Sequence, residues 1–177
     1  MPSPPLSSSL PALGIIKFNF DTAFIIATKE AFSGVIARNS PGLIMVASVL
    51  HHSVDIDAFI VEAKACEAAV NFAIELGFRS IHVEGDSLSV IKKLSSSSID
   101  KSIISPVIFD IKSKLVFFEK ITFSHVGRVR VPTGHRGNEV AHLLAQAHRR
   151  FQLLQYWIED APPEVEQVAL VTYGSDL

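Results

Sequence analysis

Near residue 57 the hydrophobic pattern of this 177-residue chain changes from strand-like runs to helical spacing, and that change constrains the fold more than any other feature. Before it, apolar runs at 15–27, 33–38 and 43–51 have the composition of β-strands and are joined by short turn-forming links. After it, apolar residues from 58 to 76 recur at spacings of three and four, the pattern of an amphipathic helix. The sequence therefore predicts an antiparallel meander of three strands followed by a crossover helix.

The remainder of the chain alternates short strands with helices. We expect strands at 80–84 and 120–125, and helices at 87–94, 106–116 and 138–151. A strand that follows a crossover helix pairs in parallel. The prediction is an α/β fold of the mixed α+β kind. It has a five-stranded mixed sheet, three antiparallel strands then two parallel, with helices on both faces.

Composition limits the organisation to one folded unit. Hydrophobic residues make up 48% of the chain, which predicts a packed core and not disorder. We expect a Pro/Ser-rich flexible lead-in at 1–14, a domain at 15–153 and a tail at 154–177 that packs on the domain or extends from it. No apolar run is long enough to span a bilayer, and the first residues lack the pattern of a secretory signal. A cytoplasmic or nuclear location is the expectation.

Three acidic residues fall on three separate elements among apolar neighbours: Asp21, Glu62 and Asp86. Asp21 lies inside a strand, where a buried carboxylate is costly unless it is paired or bound to a metal. Glu62 lies in the first turn or two of a helix, where interaction with the helix dipole is an ordinary alternative. Asp86 lies between a strand and a helix, so helix capping is its alternative role, although ligands also bind at strand ends. Together the three acids predict a divalent-metal site.

Seven segments agree in order and spacing with one family. In chain order they are KFNFDTAF, SGVIARNSPG, VEAKACEAAVNFAIELGF, IHVEGDSLSVIKKL, FSHV, GNEVAHLLA and YWIEDAPPEV. Over roughly residues 15 to 165 they resemble the plant ribonuclease H-like domain, the reverse-transcriptase-like ribonuclease H module related to retroelements. The resemblance implies the ribonuclease H fold and hydrolysis of the RNA strand of RNA–DNA hybrids by an endonuclease that uses two Mg²⁺ ions, with Mn²⁺ as the alternative.

The resemblance also assigns roles to single residues. Asp21 would bridge both metals, Glu62 would hold a metal and contact the region of the ribose 2′-hydroxyl, and Asp86 would complete the cluster. The fourth position is His142, where active ribonucleases H carry aspartate in an Asn-x-x-Ala-Asp pattern. An imidazole is a neutral ligand that suits Zn²⁺ or Mn²⁺ better than Mg²⁺, so we expect a weaker second metal site.

Two histidines precede that helix and resemble the product-release histidine of the family. The family places such a histidine about six residues before the asparagine of the pattern, which here is Asn138. His125 lies thirteen residues before Asn138 and His135 lies three before it, so 129–134 reads as an insertion and either histidine fits the role.

The expected partner is nucleic acid, either an RNA–DNA hybrid or RNA, bound by a monomer. A net charge of −2 is not the signature of a protein that binds nucleic acid mainly by neutralising phosphates. An alternative is therefore a catalytically weakened nucleic-acid-binding or regulatory domain that retains the ribonuclease H fold, or a remnant of a retroelement.

Overall fold

The first three strands form the predicted meander. In the computed structural model, which describes residues 11–52, 57–127, 141, 143–145, 155–163 and 165–167, β1 is Ile16–Ile25, β2 is Glu30–Arg38 and β3 is Ile44–His52. Both pairings are antiparallel, with Asp21 opposite Gly34 and Val35 opposite Ser48. The aromatic and β-branched residues of these segments favour a sheet, in which successive side chains point to opposite faces.

Helix α1, Ala58–Glu75, follows the meander and begins and ends where its capping residues predict. The Asp57 side chain accepts a hydrogen bond of 2.8 Å from the backbone N–H of Phe59, which satisfies a donor at the helix start. Just past the helix end, Gly77 has φ +75°, a conformation that glycine adopts without strain. Local chemistry therefore fixes both ends of the crossover helix.

The chain then returns to the sheet. Strand β4 is Ser80–Gly85, helix α2 is Leu88–Ser95, helix α3 is Ser105–Lys114, and strand β5 is Lys120–His125. Strand β4 lies parallel to both β1 and β5, as the helical crossover connections predict.

The sheet has one strand more than predicted. Strand β6, Gln155–Ile158, pairs antiparallel with β3, so the order is β5-β4-β1-β2-β3-β6 and β1 is central. The sequence does not signal β6, because the strand has four residues and three of them are exposed. Trp157 packs against the core beneath it. The mixed α/β class is confirmed, and the strand count is corrected from five to six.

Each face of the sheet carries its own apolar core. Phe18 and Phe20 of β1 point toward α1, α2 and α3 and belong to the larger core. Phe32 and Ile36 of β2 point to the opposite face, where they meet Leu144. Residue 141 and residues 143–145 are helical, in agreement with the helix predicted at 138–151, of which the other positions lie outside the described residues. Helical elements therefore cover both faces, as predicted.

No helix in the described part of the chain is long and apolar enough to cross a membrane.

Buried His52 makes the stability depend on pH. Its Nε2 lies 2.6 Å from Ser33 Oγ, and burial, with smaller effects of Lys64 and His51, lowers its pKa from 6.5 to about 4. Between these values the unfolded chain binds a proton that the folded chain does not, so stability is lost as the pH falls through that window. We expect the free energy of unfolding to fall by about 2 kcal/mol more in the wild type than in His52→Gln between pH 7 and 4. Urea unfolding at several pH values measures this, and equal losses in the two proteins would contradict it.

Candidate functional site

Asp21 lies near the middle of the central strand and is buried. Its side chain shares a sheet face with Asn19 and Lys17, opposite the face that carries Phe18 and Phe20. The backbone N–H of Thr22 donates a hydrogen bond of 2.8 Å to Asp21 Oδ1. Asp21 is only 5% exposed, so it is not a solvated residue on an open face of the sheet.

Asp86 lies beside Asp21 by strand register. The last registered pair between β1 and β4 is Phe20 with Gly85. Asp21 directly follows Phe20, and Asp86 directly follows Gly85. Asp86 stands just beyond the carboxyl end of β4, where α/β proteins bind ligands, and Asp21 lies beside it in β1. Asp86 is half-buried, and its backbone oxygen lies 3.2 Å from His125 Nε2. The structure thus brings His125 to the candidate site.

Glu62 reaches the same turn from α1. The Ser87 hydroxyl donates a hydrogen bond of 2.7 Å to Glu62 Oε2, and Ser87 directly follows Asp86 in the chain. Ser87 precedes the first residue of α2 and makes no side-chain capping bond of its own. Helix α1, the end of β4 and the central strand β1 therefore each supply one of the three predicted acids.

The carboxylates of the three predicted acids suit a divalent cation chemically, but their placement supports such a site less well. Carboxylate oxygens are the ligands that Mg²⁺ and Mn²⁺ prefer. Yet among the residues that the structure describes, no group of three or more His, Cys, Asp or Glu side chains is placed to hold a metal ion. His142 and His135, the other predicted site residues, lie outside the described residues. Ala141, which precedes His142, packs against Gly34, the pairing partner of Asp21.

A row of buried polar side chains beneath the acids was not predicted. It consists of Lys17 and Asn19 of β1, Arg38 of β2, Glu84 of β4 and Ser124 of β5. Each of the first four is at most 7% exposed. The signal lay in β1, where Lys17, Asn19 and Asp21 alternate with phenylalanines, so that three polar residues share one face.

Electrostatics hold Glu84 as a carboxylate. Lys17 Nζ lies 3.2 Å from Glu84 Oε2. Burial alone would raise the pKa of Glu84, but its contacts with His82 and Lys17 outweigh burial and lower that pKa to about 2. Burial also lowers the pKa of Lys17, and the charge of Glu84 opposes that shift. The two residues form a buried ion pair.

Glu67 of α1 lies between two helices and not on an open surface. Its carboxylate lies 3.3 Å from Lys114 Nζ of α3 and is half-buried between the helices. Lys114 also pairs with Asp110. Burial, as the largest cause, and the Asp110 carboxylate raise the pKa of Glu67. Helical periodicity alone does not reveal which neighbouring helix covers a given face. The cluster joins α1 to α3.

A family model described as reverse transcriptase-like matches residues 19–148 of the chain. Ribonuclease H1 from the halophilic archaeon Halobacterium salinarum NRC-1 is 23% identical, with a TM-score of 0.61 over 77% of this chain and 98% of that one. LC11 ribonuclease H1, isolated from compost and solved in complex with an RNA/DNA hybrid, is 14% identical, with a TM-score of 0.56 over 64% and 86%.

The protease-reverse transcriptase of prototype foamy virus also matches, with 17% identity and a TM-score of 0.59. The match covers 81% of this chain and 21% of the viral protein. A search of curated proteins gave no match. Identities this low establish the fold alone, which is the ribonuclease H-like fold that the sequence motifs predict.

Proposed function

Because this chain belongs to the reverse transcriptase-like family, we propose that it hydrolyses the RNA strand of RNA–DNA hybrids with the help of divalent metal ions. One observation carries the proposal. Asp21 and Asp86 follow the last registered pair of two adjacent parallel strands, and Ser87 ties Glu62 to the same turn. A hybrid bound to the similar LC11 ribonuclease H1 supports the choice of substrate class.

Asp21, Glu62 and Asp86 would hold Mg²⁺ or Mn²⁺, with His142 as a fourth ligand. Ions bound there supply an activated water and stabilise the leaving oxygen of the cleaved phosphodiester. The protein holds its own groups in place for this chemistry. The Thr22 amide orients the Asp21 carboxylate, and the Ser87 hydroxyl orients Glu62. A contact with the ribose 2′-hydroxyl would distinguish RNA from DNA.

His125 is the better supported of the two candidates for product release. It is the last residue of β5 and its ring approaches the backbone of Asp86, while its side chain is exposed and accessible to a bound strand. We propose that His125 contacts the cleaved phosphate as it leaves. His135 keeps the same role as a prediction from the sequence.

A second function remains a candidate: a nucleic-acid-binding domain with weakened catalysis. Two observations favour it. Histidine replaces the expected aspartate at position 142, and the described residues include no group of three acidic or imidazole ligands ready for a metal. Such a domain would bind hybrids with an affinity that falls as salt rises, and would leave the RNA strand intact.

The two functions are separated by one assay with three duplexes. An end-labelled RNA strand is paired with DNA or with RNA, and a labelled DNA duplex serves as the third substrate. We expect cleavage of the RNA in the hybrid only, with Mn²⁺ more effective than Mg²⁺. Salt-dependent binding of the hybrid without cleavage in either metal would establish the binding domain instead.

Restoring an acid at position 142 should increase the rate. In His142→Asp the site regains a negative charge and a hard oxygen ligand, so we expect Mg²⁺-supported hydrolysis to rise about tenfold and the preference for Mn²⁺ to shrink. His148→Asp, on the same predicted helix, is the matched control for a new acid at a neighbouring position. Equal rates in wild type and His142→Asp would show that residue 142 does not belong to the site.

A further inference from the structure

The buried polar row on the sheet spans four adjacent strands through direct contacts. Arg38 Nη2 donates a hydrogen bond of 3.0 Å to Asn19 Oδ1, and Asn19 Nδ2 donates one of 3.1 Å to Glu84 Oε1. The other carboxylate oxygen, Glu84 Oε2, accepts a hydrogen bond of 3.2 Å from Ser124 Oγ and pairs with Lys17. Glu84 is therefore the centre of the row and joins β4 to both of its neighbours.

This row lies directly below the candidate site. Asn19 and Glu84 are paired residues of β1 and β4. Asp21 lies two residues after Asn19, and Asp86 lies two residues after Glu84. Because alternate residues of a strand share a face, Asn19 and Asp21 lie on one face, about 7 Å apart along the strand. The contacts of Glu84 thus act on the same two chain segments that carry the aspartates.

The contacts also specify how the two strands are aligned. Only five residue pairs join β1 to β4. A slip of one residue would move Lys17 and Glu84 to opposite faces of the sheet and leave each charge buried without the other. The same slip would separate the two aspartates. The buried ion pair therefore penalises a one-residue slip away from the alignment that sets Asp21 beside Asp86.

We propose that Glu84 is a positioning residue, which fixes the placement of Asp21 relative to Asp86 and so sets the affinity of the site for divalent cations. This inference rests on the function proposed above, since it assigns those aspartates to a metal site. Glu84 itself does not touch the substrate. It acts through the alignment of β1 and β4.

A matched pair of variants tests the inference. Glu84→Gln keeps the shape of the side chain but removes the charge that pairs with Lys17. Glu67→Gln makes the same change in the ion pair with Lys114, which joins α1 to α3. Binding of Mn²⁺ to metal-free protein, in the absence of nucleic acid, is measured by isothermal titration calorimetry at a temperature where thermal melts show all proteins folded.

We expect Glu84→Gln to raise the Kd for Mn²⁺ about tenfold and Glu67→Gln to leave it within twofold of the wild-type value. If Glu84→Gln does not fold, Ser124→Ala removes one contact of the same carboxylate and should raise the Kd by a smaller factor. An unchanged Kd in Glu84→Gln, or in Ser124→Ala if Glu84→Gln does not fold, would overturn the inference. So would an equal rise in Glu67→Gln, which would point to general destabilisation.

The outcome separates this inference from the proposed function. If the wild type binds Mn²⁺ and Glu84→Gln binds it more weakly while neither cleaves a hybrid, the positioning role stands and the hydrolysis is refuted. If the wild type cleaves hybrids and Glu84→Gln has the wild-type Kd, the hydrolysis stands and the positioning role is refuted. A wild type that binds no Mn²⁺ refutes both.

Discussion

An Asp21→Asn variant will hydrolyse the RNA strand of a hybrid at least about a hundredfold more slowly than the wild type, which corresponds to roughly 2.7 kcal/mol of lost transition-state stabilisation. The change removes a negative charge from the centre of the site with almost no change in volume. Because asparagine can still accept the hydrogen bond from Thr22, the loss will not come from unfolding. Initial rates with labelled hybrid, together with thermal melts, measure both properties.

The control for Asp21→Asn is Asp110→Asn. Asp110 lies on α3, where it pairs with Lys114. We expect its variant to cleave at the wild-type rate. A wild-type rate in Asp21→Asn would remove this residue from the catalytic site, and equal losses in the two variants would show that the assay reports stability and not catalysis.

The second large effect is structural. A Gly34→Ala variant will lose about 3 kcal/mol or more of its free energy of unfolding. A Cβ on Gly34 would lie 2.0 Å from the backbone oxygen of Ala141 and 2.7 Å from the backbone nitrogen of Ala145. Backbone atoms cannot rotate away as the end of a side chain can, so the helical segment would have to move off the sheet. That movement would open the core formed by Phe32, Ile36 and Leu144.

Gly127→Ala is the matched control for Gly34→Ala, because a Cβ there would meet no atom within 4 Å. Urea denaturation of both variants measures the difference. We also expect Gly34→Ala to reduce cleavage beyond the loss of folded protein, since Ala141 precedes His142 in the chain. A Gly34→Ala variant as stable as Gly127→Ala would contradict the close packing of this segment on β2.

Much of this fold follows from local signals in the sequence. The apolar composition of β1 to β3 and the three- and four-residue spacing of α1 are strong signals because each covers a whole element. The parallel direction of β4 also follows, since β4 comes after a crossover helix. The pairing of β4 with β1, which sets Asp21 beside Asp86, is not indicated by the sequence. What the sequence does not indicate depends on distant partners. Strand β6 exists because β3 offers it an edge, and α3 half-buries Glu67.

The candidate site was predictable as a set of acids but not as a geometry. Asp21 stood out as a charged residue inside a strand of phenylalanines. Glu84 did not stand out, because its importance comes from Lys17, Asn19 and Ser124 on neighbouring strands. Likewise, nothing local indicates that Ser87 donates to Glu62 across 25 residues of sequence. Side-chain contacts between elements are fixed only when the sheet is assembled.

The proposed activity is cleavage of RNA within a hybrid, and it requires a divalent metal. The most direct measurement mixes metal-free wild-type protein with a hybrid whose RNA strand is end-labelled, and then adds Mn²⁺ or Mg²⁺ to start the reaction. We predict that shorter RNA products accumulate only after the metal is added, and that excess EDTA stops their formation. If the RNA stays intact at all times while the protein is folded and bound to the hybrid, the result would contradict metal-dependent cleavage.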